Sequence, residues 1–202
     1  NAKLRDVIAK AKAANMPNDN INRSIKKAAG ETGSVNYEEF TYEGYGPGNM
    51  AVYVEIVTDN RNRISAEMKH LFSKAGGNLG ASGSVAWMFD KKGQIVVERT
   101  ARMDEDEVMM QALDAGAEDF VAQEDVFEIY TSPAEFSKVR EALESAGYTF
   151  LKAEVAMIPQ NTVNITDPEV VEKVNKFLDN LDDNDDVQEV FHNAILPEED
   201  EE

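Results

Sequence analysis

Six segments between Gln94 and Met157 follow one another in a fixed order, and this stretch limits the fold more than any other part of the chain. QIVVER (94–99) has the β-branched character of a strand, 104–115 reads as a helix, 118–122 and 126–131 as strands, 133–146 as a helix and 149–157 as a strand. The order β-α-β-β-α-β is that of a ferredoxin-like unit, a four-stranded antiparallel sheet with two helices on one face. It is complete by Ile158, so whatever lies on either side must fold around an insertion.

The flanks have matching halves. MAVYVEIVT (50–58) reads as a buried strand, and Ile64, Met68, Leu71, Phe72 and Ala75 then recur at helical spacing. Gly76 and Gly77 end that helix, GASG loops back, and SVAWMF (84–89) reads as a returning strand. Beyond the insertion, TVNI (162–165) is a short strand, a helix opened by Asp167 and Pro168 runs to Leu181, and DVQEVFH (186–192) is a strand. Joined across the insertion, the two halves predict a second ferredoxin-like unit split by the first.

Ahead of both, Leu4, Val7, Ile8 and Ala11, then Ile21, Ile25 and Ala28, give two short helices broken at NMPNDN, the second stopped by Gly30. The expected class is α+β. A helical domain at 1–36 precedes a split α/β domain at 37–92 and 158–196 and an inserted α/β domain at 93–157. The acidic tail 197–202 is too charged to pack.

The net charge of −19 argues against a polyanionic partner until its distribution is considered. Residues 1–92 carry 13 Lys and Arg against 10 Asp and Glu, whereas residues 93–202 carry 7 against 29. Such asymmetry suits one end that faces phosphates and another that is solvated or faces basic proteins.

Cysteine is absent, which excludes disulfide scaffolds, thiolate metal sites and cysteine nucleophiles. No apolar run approaches the roughly 18 residues of a membrane span, and no signal-peptide pattern opens the chain, so the expectation is a cytoplasmic protein without a membrane partner. Of the two histidines, neither stands at H-E-x-x-H spacing, and no G-x-S-x-G elbow occurs. The acidic run DNLDDNDD (179–186) lacks the glycine and terminal glutamate of a calcium loop. GGNLGASG follows its helix instead of preceding it, which is the reverse of a phosphate-cradling loop. No catalytic residue, metal ligand or cofactor is expected.

What remains is basic. Arg63, His70 and Lys74 fall within about 40° of one another on a helical wheel, a single edge beside the apolar face, and Arg61 stands at the strand-to-helix turn before them. Such an edge serves equally well as phosphate contact or as solvated surface, and Glu67 lies where it can pair with Arg63. Arg23, Lys26 and Lys27 cluster on the second helix. Tyr42 and Tyr45 bracket a glycine-rich turn, where tyrosines either stack on bases or pack over the loop.

Five segments together, NMPNDNINRSIKKAAG (15–30), YEGYGPG (42–48), TDNRNRISAEMKHLFSKAGGNLGASGSVAWMF (58–89), AMIPQNTV (156–163) and DDVQEVFHN (185–193), resemble the YebC/PmpR family over essentially the whole chain. The resemblance implies three domains, one inserted in another, and no enzymatic activity. It also implies a basic segment ahead of the residue numbered Asn1, so that −19 understates affinity for polyanions. Its functional implication is divided between DNA-binding transcriptional regulators and translation factors that act on ribosomal RNA, the latter with an acidic half able to face basic ribosomal proteins.

Overall fold

The computed structural model describes residues 1–31 and 35–198, so residues 199–202 of the acidic tail lie outside the described residues. In chain order the elements are α1 (Ala2–Ala13), α2 (Asn18–Glu31), β1 (Glu38–Tyr45), β2 (Ala51–Thr58), α3 (Arg61–Lys74), β3 (Asn78–Leu79) and β4 (Phe89–Glu98). They continue with α4 (Glu105–Ala115), β5 (Asp119–Ala122), β6 (Val126–Thr131), α5 (Phe136–Ser145), β7 (Phe150–Pro159), β8 (Val163–Asn164), α6 (Pro168–Asp182), β9 (Val187–His192) and β10 (Ala194–Ile195). The class is α+β, as the element order predicts. The chain divides into two units, residues 1–32 with 91–156 and residues 33–90 with 157–202.

In the first unit the strands lie in the order β5-β6-β4-β7, with β6 antiparallel to both of its neighbours. Alternate residues of β4 and β6, namely Ile95, Val97, Phe127 and Ile129, point into a core closed by Val108 and Ala112 of α4 and by Phe136, Val139 and Leu143 of α5. Asp104 caps α4 by accepting from the Glu107 N–H at 3.1 Å, and Gly116, at φ 113°, closes it. The strand expected at 94–99 begins earlier, at Phe89, and β4 runs through Lys91, Lys92 and Gly93 without a turn. Gly93 pairs with Thr131, and a Cβ there would collide with Thr131 Oγ1 and the Phe136 side chain. The glycine therefore permits close approach within a strand and marks no turn.

The N-terminal helices belong to this unit. α1 buries none of its residues and is held by charge instead. Asp6 accepts from Ser137 Oγ at 2.6 Å and from Arg140 Nε at 3.3 Å, and Arg140, only 5% exposed, also donates to Glu144 at 3.0 Å. Arg5 pairs with Glu141 at 3.3 Å and Lys10 with Glu154 at 3.0 Å. Replacing Arg140 with Met keeps most of the buried volume but removes the charge that α1 is docked on. The expected result is amide exchange in Ala2–Ala13 faster by about tenfold, equivalent to roughly 1.4 kcal/mol, with the β4 and β6 amides unchanged. Equal exchange in α1 would show that these ion pairs do not hold it. The sequence reading stops α2 at Gly30, yet the helix includes Gly30 and reaches Glu31. A glycine within a helix costs only about 1 kcal/mol relative to alanine, so it does not by itself end one.

In the second unit the order is β3-β1-β2-β9, antiparallel throughout. This is the spatial layout of the first sheet, with one place filled differently. The position after β3 is taken by β1, which precedes β2 in the chain instead of following β3. The strand expected at 84–89 is accordingly not there. Residues 86–88 form a 3-10 turn, because the N–H groups a strand would use are taken by the Glu43 carboxylate. Behind the sheet α3 and α6 pack Ile64, Met68, Phe72, Val174, Phe177 and Leu181 against Val52, Val54 and Ile56. The Phe72 and Phe177 rings meet edge to face at 5.0 Å and 81°. The backbone passes from α3 to β3 at Gly77, where any Cβ would strike the Tyr45 carbonyl oxygen. Buried Asn193 joins the main sheet to the short parallel pair β8-β10. Its side-chain oxygen accepts from the Ala51 N–H at 2.8 Å, and its carbonyl accepts from the Val163 N–H at 2.8 Å. Among the described residues no helix is long and apolar enough to cross a membrane.

Candidate nucleic-acid interface

The strand-to-helix turn that carries the arginines is built from three side chains. Buried Thr58, the last residue of β2, accepts from the Asn60 N–H at 3.0 Å and donates to Asp186 Oδ2 at 2.8 Å. Asn60 then caps α3 by accepting from the Arg63 N–H at 3.0 Å. α3 therefore starts at a fixed point, and the side chains along its edge are aimed by a rigid element.

The two arginines are already engaged. Arg61 pairs with Glu38 at 3.2 Å and lies over the Phe40 ring at 4.4 Å. Arg63 donates to Asp186 at 2.6 Å and to Asp59 at 3.0 Å, with Glu67 at 3.9 Å. Hydrogen bonds to Asp186 first, then Asp59, hold the Arg63 guanidinium above its ordinary pKa. Around Arg63 lies a concavity of about 610 Å³ whose lining includes Asp59, Glu67, Asp183, Asp185 and Asp186. Five carboxylates against one guanidinium make that hollow repulsive to phosphate. Nearby, at the end of α6, burial first and then the like charges of Asp179 and Asp183 raise the Asp182 carboxyl above its ordinary pKa.

The remaining cations lie further along α3. His70 and Lys74 are exposed and form no ion pair among the described residues, and Lys74 stands in the last turn, where a cation complements the helix dipole. Arg23, Lys26 and Lys27 are exposed on α2, in the other unit. Tyr42 and Tyr45 prove to be strand residues. Both are half-buried in β1, and Tyr42 packs edge-on to Phe40 at 5.3 Å. Their rings belong largely to packing. His192, the other histidine, accepts from the Ala194 N–H through Nδ1 at 3.1 Å.

Two features escaped sequence reasoning. Glu43 is 4% exposed, and its carboxylate accepts from the N–H groups of Gly83, Val85 and Ala86 at 2.6, 3.1 and 2.6 Å. Trp87, on the turn so held, is 67% exposed. The only available signal was an acidic residue inside YEGYGPG and a tryptophan three residues after the glycine-serine loop.

A pair of N-terminal helices, a ferredoxin-like sheet unit and a second sheet unit that it interrupts, with an exposed basic helix edge in an acidic molecule, define the class of protein. The chain belongs to the TACO1/YebC family. Residues 1–31 match the model for the TACO1/YebC N-terminal domain, and residues 37–194 match that for the second and third domains. It is 62% identical over 193 residues to a probable transcriptional regulatory protein of Acetivibrio thermocellus, covering 96% of this chain and 80% of that one. A similarly named protein of Clostridium novyi is 62% identical over 199 residues, covering 98% and 80%. Among solved structures, a conserved hypothetical protein of Aquifex aeolicus superposes with a TM-score of 0.82 at 47% identity, covering 100% of this chain and 83% of that one.

Proposed function

We propose that this protein regulates gene expression by binding nucleic acid, without catalysing a reaction, and that its principal role is that of a DNA-binding transcriptional regulator in the cytoplasm. The observation that carries this reading is the near full-length likeness to relatives named as probable transcriptional regulatory proteins. The exposed edge of His70 and Lys74 on α3 supplies a chemically suitable contact, together with Arg23, Lys26 and Lys27 on α2. Cations at these places neutralise phosphates and position the protein, while base reading would need further contacts.

A second reading is a translation factor bound to ribosomal RNA, with the acidic half free to meet basic ribosomal proteins. The exposed ring of Trp87 favours it, since unpaired strands offer base faces that duplex DNA does not. Sedimentation of cell extract through a sucrose gradient separates the two. Under the first reading the protein travels with DNA fragments and moves to the top of the gradient after deoxyribonuclease. Migration with ribosomes that survives deoxyribonuclease favours the second. A protein that stays at the top in both conditions contradicts both.

A further inference from the structure

We propose that Trp87 is a stacking platform for an unpaired nucleobase of a single strand, RNA or DNA. The inference rests on the nucleic-acid reading above and adds to it a site of a different kind, one that engages a base instead of a phosphate. Four observations carry it.

The first is exposure without freedom. Trp87 is 67% exposed, yet its indole N–H donates to the Ser84 carbonyl of its own turn at 3.0 Å. An indole whose polar edge is already satisfied has only its ring face to offer.

The second is rigidity. The Glu43 carboxylate fixes three successive parts of the turn through the N–H groups of Gly83, Val85 and Ala86, and the Gln160 N–H donates to the Met88 carbonyl at 2.9 Å. A buried acid that gathers three backbone donors is a demanding way to hold a surface loop, and it loses little entropy when a ligand arrives.

The third is charge. From Ala75 to Phe89 no residue carries a charge, the longest such run in a chain of net charge −19, and Lys74 precedes it. This is the stretch where a polyanion meets no carboxylate of the loop itself.

The fourth is isolation. The loop that leads into the turn, Gly80, Ala81, Ser82 and Gly83, carries no large side chain, and Val85, Met88 and Phe89 on either side of Trp87 are buried or half-buried. A protein partner would be expected to meet a contiguous apolar patch of a few hundred Å². An aromatic that is the one exposed large side chain of residues 80–89 instead matches a base, with the small residues of the loop leaving space for a sugar-phosphate backbone.

Trp87 is the sole tryptophan, so its emission reports this site alone. The full chain would be titrated with fluorescein-labelled oligouridylate and oligothymidylate of about 12 nucleotides, and with a matching duplex, following label anisotropy and indole emission together. The expected result is saturable quenching by a single strand, in step with the anisotropy, and no quenching by the duplex. RNA alone, DNA alone or both quenching would each support the site and identify its source. Trp87→Ala should weaken single-strand binding about tenfold, the loss of one base-aromatic stack, and Trp87→Phe should retain most of it. Circular dichroism verifies that the variants fold, and quenching in the unsubstituted protein needs no variant at all. Strand binding with unquenched indole, or undiminished binding by a folded Trp87→Ala, would overturn the platform and leave the proposed function standing. Absence of binding to every probe would overturn both.

Discussion

Replacing Glu43 with Ala should destabilise the protein by about 3 to 5 kcal/mol, because three backbone donors lose a shared, charge-assisted acceptor at once. The N–H groups of Gly83, Val85 and Ala86 have the Glu43 carboxylate as their side-chain partner, and that side chain is 4% exposed. Each donor left unpaired out of water costs about 1 to 3 kcal/mol, and water entering the opened loop recovers part of the sum. Glu43→Gln should fall between, since one amide oxygen remains to accept while the NH₂ group opposes a donor. Urea denaturation followed by circular dichroism measures the loss. Trp87 emission should shift before the main transition, because the turn that carries the indole is the part released. A variant within about 0.5 kcal/mol of the parent would show that the loop does not depend on the clamp.

Phe72→Ala should cost about 3 to 5 kcal/mol, the range for emptying a large aromatic site in a core. Phe72 is fully buried, meets Phe177 of α6 edge to face, and lies on the same helix as His70 and Lys74. Its removal leaves a void between α3, α6 and the sheet and loosens the rigid mounting of the basic edge. Exchange protection should therefore fall first in α3 and α6, whereas β4 and β6, whose core is a separate cluster, should keep theirs. Uniform loss across both sheets would show that the two cores unfold as one.

The parts of the fold that the sequence made legible are those whose hydrophobic period is local. The inserted unit could be read as β-α-β-β-α-β because each segment alternates or repeats within its own length, and α3 because Ile64, Met68 and Phe72 keep the 3.6-residue period. β1 was hidden. Its glycine-rich end suggested a turn, although Gly44 sits in the strand, where a Cβ would strike the Asn78 carbonyl and the Phe72 ring. SVAWMF misled in the opposite sense, since its apolar lettering suits a strand while a carboxylate some 40 residues earlier captures its N–H groups.

The site follows the same rule. That Arg63, His70 and Lys74 share an edge was legible from spacing. That Arg63 is spent on Asp186, 123 residues away, and Arg61 on Glu38 and Phe40 was not, because those partners arrive only with the tertiary fold. The basic edge is consequently narrower than the sequence suggests and lies toward the C-terminal half of α3.

Under the proposed function this acidic protein holds nucleic acid through exposed cations on α3, and salt-dependent affinity tests that most directly. Binding to labelled DNA or RNA should weaken as salt rises, with a linear log-log dependence, and Lys74→Glu should lower the affinity and reduce the slope by about 1, the signature of one lost phosphate contact. Salt-independent binding, or a folded Lys74→Glu variant with the parent's affinity and slope, would contradict it.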